Sequence, residues 1–590
     1  MNIDNISPRE VVLKKPNALL PFLSALISAL IVVASLDRIG VFPFGNLTLL
    51  MSDLDSIYGE YLAELQRVLQ GKADPFYSFH AGLGLNTFAI YVFYLSSPFH
   101  FLLRLIPENY LIDGITLITI LKIASAAWTM TFFLQRHRPG VPRNFWSFIL
   151  GLTYSLSGYV LSYSFSLIWL DAVVFLPLTA AAIDALFRRK PTVLLIFAFG
   201  ILFFSSFYTG YMAGICAGLY FLARLITREP TNMGQPSAAS LIFKFTISVL
   251  IAAALNMAFI LPTAYVLANN MGLFGQSAPE FRVLFELFDL PWKLFNGSLD
   301  GFKDSLPFIY SGLLPLVSIP FFFRAETVST KKKLAAASLL GIVVLGFHLS
   351  PLNFIWHAFD HPSWFPFRYA FVFPFLLIWI TFAGMGSVLD ESSTPRTTAL
   401  VPWIAILIGY LSVVWKFDPT RVDASFFYRN TALILSIAFA ATRVRCYPRQ
   451  DGWKFTLTLL VILDLSLNAF ATLERYRDAG YYTPRSELKA FREEYALPLA
   501  ELRAKDGNFY RIEKSGIRTH NDNISLGLPG IGQFSSVSSI AQTKMLKDLG
   551  YDCYATWCYY RSENPFADSL LSIKYVLNGR KTSPYASVQL

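Results

Sequence analysis

Runs of about 20 apolar residues, the length a helix needs to cross a bilayer core, recur thirteen times in the first four-fifths of this chain: 17–36, 111–134, 144–163, 170–187, 192–209, 211–226, 239–262, 307–323, 334–350, 368–389, 399–415, 425–442 and 453–470. One apolar stretch near the start could be a removable leader; a repeated pattern cannot. Of the 590 residues, 54% are hydrophobic and 15% charged, with a mean hydropathy of +0.47, so the chain needs lipid as its solvent. The net charge of +10 does not point to nucleic acid, because the lysines and arginines sit in short clusters between the runs, where membrane topology uses them. Four cysteines are too few for a disulfide scaffold and lack zinc-ligand spacing; Cys553 and Cys558 could pair in an oxidising compartment.

Cationic loops stay on the cytoplasmic side. Arg9, Lys14 and Lys15 precede the first run; Arg136, Arg138 and Arg143 follow the second; Arg188, Arg189 and Lys190 follow the fourth; Lys331 to Lys333 and then Arg443, Arg445 and Arg449 continue the alternation. The loops around Phe165 and Tyr208 carry no positive charge. This pattern predicts a cytoplasmic amino terminus and an extracytoplasmic carboxyl end. Three segments are too long for turns, namely 37–110, 263–306 and everything after Phe470. The tail, 471–590, reads as a small α+β domain on the outer face: an amphipathic helix (SELKAFREEYALPLAELRAK), strand-like runs (NFYRIEK, IKYVLN) and the turn-rich GLPGIGQ. The membrane domain is then 1–470, with 37–110 as its first outer loop.

That loop carries the candidate chemistry. In MSDLDSIYGEYLAELQRVLQG, Leu54, Ile57, Tyr58, Tyr61, Leu62, Leu65, Val68 and Leu69 recur at three- and four-residue spacing, which predicts a helix with one face in the membrane interface. Ser52 or Asp53 could cap it, with Asp55 favouring its positive end. Alternatively, a carboxylate held at the lipid–water boundary is placed to act as a general base beside an amphiphilic substrate. Asp53 is that candidate. Asp55 could steer an acceptor, orient Asp53 or hold a divalent cation, and metal dependence stays open at this point.

The strings DLDSIYGEYLAEL, FYSFHAGLGLN and YLSSPFHFL of the first loop, with LTYSLSGYVLSYSFSLIWLDAVVFLPL, FYTGYM, PFIYSGLLPL, WFPFRYAF and, in the tail, FYRIEK, FSSVSS and DSLLSIKYVLNG, resemble the YfhO family of bacterial membrane proteins, relatives of the GT-C glycosyltransferases. The resemblance covers nearly the whole chain. It implies an all-α polytopic GT-C-like bundle of about 13 helices with an extracytoplasmic α+β C-terminal domain, in the bacterial cell membrane. It also implies a polyprenyl-phosphate sugar donor supplied by a separate enzyme and flippase, and a cell-envelope acceptor such as lipoteichoic acid. Asp53 matches the family acid of a DL-x-x-QY pattern whose glutamine is Ile57 here and whose tyrosine is Tyr58. The asparagines expected at Ser166 and His100 are replaced, which puts in doubt substrate contacts carried over to those positions. Family members often continue further, which leaves the end at Leu590 open.

Within this resemblance the expected substrate-binding set is Asp55, Arg368, Asp171, Tyr58, Tyr94, His100 and Lys122. Arg368, where an outer loop becomes a helix, could stabilise a leaving phosphate or snorkel to headgroups. His357 and His361 of the same loop could donate to it. Lys122 falls mid-span, where an unpaired ammonium costs on the order of 3 kcal/mol, so it needs Asp171, Asp184 or Asp464 as partner. In the tail, Tyr551, Tyr554, Trp557, Tyr559 and Tyr560 could stack on sugars or form a core. Two rival functions share the architecture: a transporter or lipid flippase, which predicts broken helices at matching places in two halves, and a non-catalytic envelope assembly protein, which predicts that Asp53 is dispensable. No internal repeat is visible.

Overall fold

The computed structural model describes residues 17–137, 143–228, 236–270, 279–301, 303–362, 364–385, 400–554, 556–561 and 564–577. Arg9, Lys14, Lys15 and Arg138, used above for orientation, lie outside them.

A helix forms at each of the thirteen apolar runs, because a chain in hydrocarbon must satisfy its backbone internally. Among the described residues, eight are long and apolar enough to cross a membrane: Leu19–Ile39, Glu108–His137, Leu167–Phe187, Phe207–Ile226, Ala238–Ala268, Leu400–Phe417, Ala424–Cys446 and Asp451–Asp478. A ninth is added if Thr87–Leu95 and Pro98–Leu105, which meet at 114°, form one broken span. Among the described residues, eight or nine helices therefore meet the length and hydropathy of a full span, against about 13 expected for the chain. Val193–Ser205, Leu313–Arg324 and Val372–Met385 are apolar but short, and the run 144–163 breaks into Arg143–Ser155 and Gly158–Ser162. Thr330–His348 opens on three lysines.

Leu111–His137 is the central helix, packed against Leu19–Ile39, Arg143–Ser155 and Leu167–Phe187. Small polar side chains bridge these helices: Ser24 Oγ to Thr131 Oγ1 at 2.9 Å and Ser28 Oγ to Ser155 Oγ at 2.8 Å. Asp464, buried in Asp451–Asp478, accepts the Leu313 backbone N–H at 2.8 Å and the Asn296 amide at 2.8 Å. A membrane-embedded carboxylate therefore caps the start of Leu313–Arg324, where Gly312 at φ 78° turns the chain into the helix.

The last long helix runs on to Asp478, past the 470 boundary read from hydropathy. The tail then forms helix Arg485–Lys505, a parallel pair of strands, Arg511–Lys514 with Ile573–Leu577, and a three-stranded antiparallel sheet in the order Gln533–Phe534, Trp557–Tyr559, Asp552–Tyr554. Cys553 and Cys558 face each other in that sheet and form a disulfide.

Candidate functional site

Asp53 begins a helical segment, Leu54–Tyr58 continued by Gly59–Leu69, in which Leu54, Ile57, Tyr58, Tyr61 and Leu62 are buried and Leu65, Val68 and Leu69 half-buried; Glu60, Glu64 and Gln66 are buried too, so the helix packs into the protein on both faces rather than resting one face in the membrane interface. The residue before it, Ser52, has φ 47°, a left-handed backbone that costs a non-glycine residue roughly 1–3 kcal/mol and is held only by its surroundings. Asp53 makes no hydrogen bond or ion pair within the described residues. Burial raises its pKa, while the positive charges of Arg368 and Lys303 pull the other way. Ser52 opens onto a cleft of about 450 Å³ lined also by Asp300, Lys303, Asp304 and Tyr481.

Arg368 sits in the loop ahead of Val372–Met385. Its guanidinium lies 5.5 Å from the ring centres of both Trp169 and Tyr208, donates from Nη2 to the Trp364 carbonyl at 3.0 Å, and has no carboxylate within ion-pair distance among the described residues. Its Nε is buried without a partner among the described residues. The supporting loop is strained: Phe365 has φ 58°, is 2% exposed and packs 5.4 Å from Trp169. It also receives the strap 303–306, since the Phe365 N–H donates to the Lys303 carbonyl at 2.8 Å and Lys303 Nζ lies 4.0 Å over Trp364. His357 is buried, and burial holds it down at about 3, so it is a neutral ring in this loop.

Tyr58 and Tyr94 are buried together with ring centres 5.6 Å apart, and the Asp53 charge acts on both. The short helical turn Tyr91–Leu95 separates this group from a second one. On its other side, Tyr91, Val92 and Leu95 line an apolar groove of about 230 Å³, closed by Phe204 and Phe259 of neighbouring helices, with Ser97 and His100 among its lining. Ser97 Oγ donates to Asp171 Oδ1 at 3.0 Å, and Lys122 Nζ donates to Asp171 Oδ2 at 2.7 Å and to the Leu167 carbonyl at 2.9 Å. Asp171 is thus the partner that Lys122 required; Asp184 is held instead by His137 and Arg224, and Asp464 caps a helix. His100 donates from Nδ1 to the Leu95 carbonyl at 2.8 Å, leaving a buried Nε2 without a partner among the described residues.

Of the residues expected together, the structure therefore places Asp53, Tyr58, Tyr94 and Arg368 in one group and Lys122, Asp171 and His100 at the apolar groove. Asp55 faces elsewhere: Arg518 Nη1 donates to its Oδ1 at 2.6 Å and Thr483 Oγ1 to its Oδ2 at 2.9 Å, so its carboxylate is occupied by the tail. Among the described residues, no three His, Cys, Asp or Glu side chains gather as metal ligands would. The aromatic set of the tail divides, with Tyr551 and Tyr560 buried over Asp568 and Tyr554 65% exposed. Sequence reading missed Lys303, Tyr208 and Trp169. Lys303 lies in a segment flagged only by its length, and the two aromatics lie in blocks read only as matching strings.

These features define a polytopic helical membrane protein in which the first long loop, the segment 300–304 and Tyr481 at the start of the tail meet around one polar cleft. The family described as bacterial membrane protein YfhO matches residues 24–589, and the chain belongs to that family. The protein YfhO of Bacillus subtilis (strain 168) is 23% identical over 505 residues, which cover 78% of this chain and 53% of that protein, so the chain spans about half the length of this relative. Among solved structures, ArnT from Cupriavidus metallidurans in the apo state is 12% identical with a TM-score of 0.45, covering 89% of this chain and 88% of that one. The same protein bound to undecaprenyl phosphate gives a TM-score of 0.43 at 12% identity and the same coverage.

Proposed function

We propose that this chain is a membrane glycosyltransferase of the GT-C type, moving a sugar from a polyprenyl-phosphate donor to an extracytoplasmic cell-envelope acceptor such as lipoteichoic acid. The observation that carries the reading is that a half-buried carboxylate, Asp53, and a half-buried guanidinium, Arg368, lie in each other's electrostatic field while neither makes an ion pair among the described residues. The buried Nε of Arg368, without a partner among the described residues, favours an arriving anion. A carboxylate raised by burial is a better proton acceptor at neutral pH.

In the proposed inverting step, the acceptor hydroxyl oxygen forms a bond to the anomeric carbon as the carbon–oxygen bond to phosphate breaks. Asp53 takes the hydroxyl proton, and polyprenyl phosphate leaves as an anion. Arg368, fixed between Trp169 and Tyr208, stabilises that anion, with Lys303 adding positive charge. Tyr58 and Tyr94 wall the site, and the apolar groove floored by Ser97 and His100 is the seat for isoprenoid chain. Lys122 and Asp171 hold that floor as an ion pair. The cytoplasmic amino terminus and extracytoplasmic tail read from loop charges agree with a disulfide in the tail, since disulfides persist in oxidising compartments.

Mass spectrometry of cell-envelope polymers with and without the gene tests the reading. Loss of a hexose or N-acetylhexosamine from one polymer is expected. Unchanged polymers with a full supply of lipid-linked sugar would overturn it, and accumulation of donor on the cytoplasmic leaflet alone would favour a flippase.

A further inference from the structure

The three-stranded sheet of the tail has two different faces. Side chains alternate across a strand, and the register pairs Gln533 with Cys558 and Cys558 with Cys553 on one face, all buried. The other face pairs Phe534 with Trp557, Trp557 with Tyr554, and Asp552 with Tyr559. There Tyr554 is 65% exposed and Trp557 and Tyr559 are half-buried. Tyr554 and Trp557 have ring centres 6.2 Å apart, and Trp557 and Tyr559 5.2 Å apart. His520 backs Tyr559 at 4.0 Å and bonds its hydroxyl at 3.1 Å, and Arg561 bridges to Asp552 at 3.2 Å while lying 4.8 Å over Tyr559. The disulfide ties the two strands together directly beneath these rings.

We infer that this face is a binding platform for a chain of pyranose sugars. The rings of Tyr554 and Trp557 offer faces that stack on the C–H face of a pyranose, bordered by the Asp552–Arg561 pair, whose remaining donors and acceptors suit hydroxyls. Continuity with the site fixes the occupant further. The edge strand Gln533–Phe534 joins the platform to the first outer loop: the Phe534 carbonyl accepts from Tyr61 Oη at 3.3 Å, and the Ser536 N–H donates to Tyr94 Oη at 2.8 Å. Tyr94 packs on Tyr58, beside Asp53. A glycan gripped on the platform is the acceptor, a role that rests on the transferase reading, while the binding itself does not.

Saturation-transfer NMR on the full chain in nanodiscs, with chitohexaose and maltohexaose as probes, tests it. Transfer to pyranose C–H protons is expected from the wild type, reduced at least fivefold in Tyr554→Ala, whose exposed ring is not needed for folding, and in Trp557→Ala, and retained in Trp557→Phe. No transfer to either probe, equal transfer in Tyr554→Ala and wild type, or loss in Tyr554→Ala of a dimer rather than of sugar binding would overturn the platform. Tyr554-dependent binding in a protein that transfers no sugar would leave the platform standing and remove the enzymatic reading instead.

Discussion

Arg518 Nη1 lies 2.6 Å from Asp55 Oδ1, two residues after Asp53, so a tail residue grips the helical turn that presents the candidate base. Its Nη2 reaches Glu60 Oε1 at 2.6 Å, and the grip is extended by Asn521 Nδ2 on the Ser56 carbonyl at 2.7 Å and by the Thr483 N–H on the Leu50 carbonyl at 2.9 Å. Polar contacts on this segment come largely from residues more than 400 positions away. They hold the turn that carries Asp53 in place against the strain at Ser52.

Arg518→Met removes a guanidinium that two carboxylates share and leaves both partly desolvated, a change that costs about 3 kcal/mol. A lowered thermal midpoint of the purified protein is expected, together with reduced sugar transfer. Arg518→Lys keeps the charge but not the fork that reaches both acids, so it is predicted to fall between wild type and Arg518→Met. Equal stability of all three would show that the grip is idle.

Asp53→Asn preserves shape and removes the basic oxygen. Transfer is predicted to drop roughly 100-fold or more with normal membrane insertion and abundance. Retained transfer at wild-type rate would assign the base elsewhere.

Arg368→Ala is predicted to lower transfer roughly 100-fold, as loss of a preorganised donor does. Arg368→Lys is predicted to recover little, because a planar guanidinium between the Trp169 and Tyr208 rings is not replaced by a compact ammonium. Kinetics against donor concentration measure both.

Lys122 and Asp171 are both fully buried, 2.7 Å apart. Lys122→Met alone leaves a buried carboxylate and is predicted to cost about 3–5 kcal/mol, whereas Lys122→Met with Asp171→Leu recovers most of it. Thermal unfolding of the single and double variants checks this, and a double variant no better than the single would exclude a simple ion pair.

Burial holds His520 down at about 4, with Asp522 opposing and Arg561 adding to the shift. The unfolded chain then binds more protons than the folded one between about pH 6.5 and 4. The stability contributed by the neutral ring is complete above that window and is lost as pH falls through it. The melting temperature of His520→Gln is predicted to fall less steeply than that of the wild type from pH 7 to 4.

Much of the architecture was legible because hydropathy is local. Lipid rewards any 20-residue apolar run with a helix, so all thirteen runs became helices, and the amphipathic spacing from Leu54 to Leu69 became a helix that buries Leu54, Tyr58, Tyr61 and Leu62. The tail helix and the strands around Arg511 and Ile573 were also local signals. Full crossing was less legible, since a break such as that at Gly158, whose N–H is taken by the Tyr310 carbonyl, depends on a partner remote in sequence.

A membrane bundle, an acid-bearing outer loop and a mid-span lysine that had to find a carboxylate could all be read from the linear pattern, because each follows from the cost of apolar surface in water or charge in lipid. It took the packed fold to show that this carboxylate is Asp171, that Asp55 belongs to Arg518, and that Lys303 shares the field around Asp53 with Arg368. Electrostatic partners are chosen by distance in space, and a one-dimensional pattern carries no record of which remote charges the packing brings within a few ångströms.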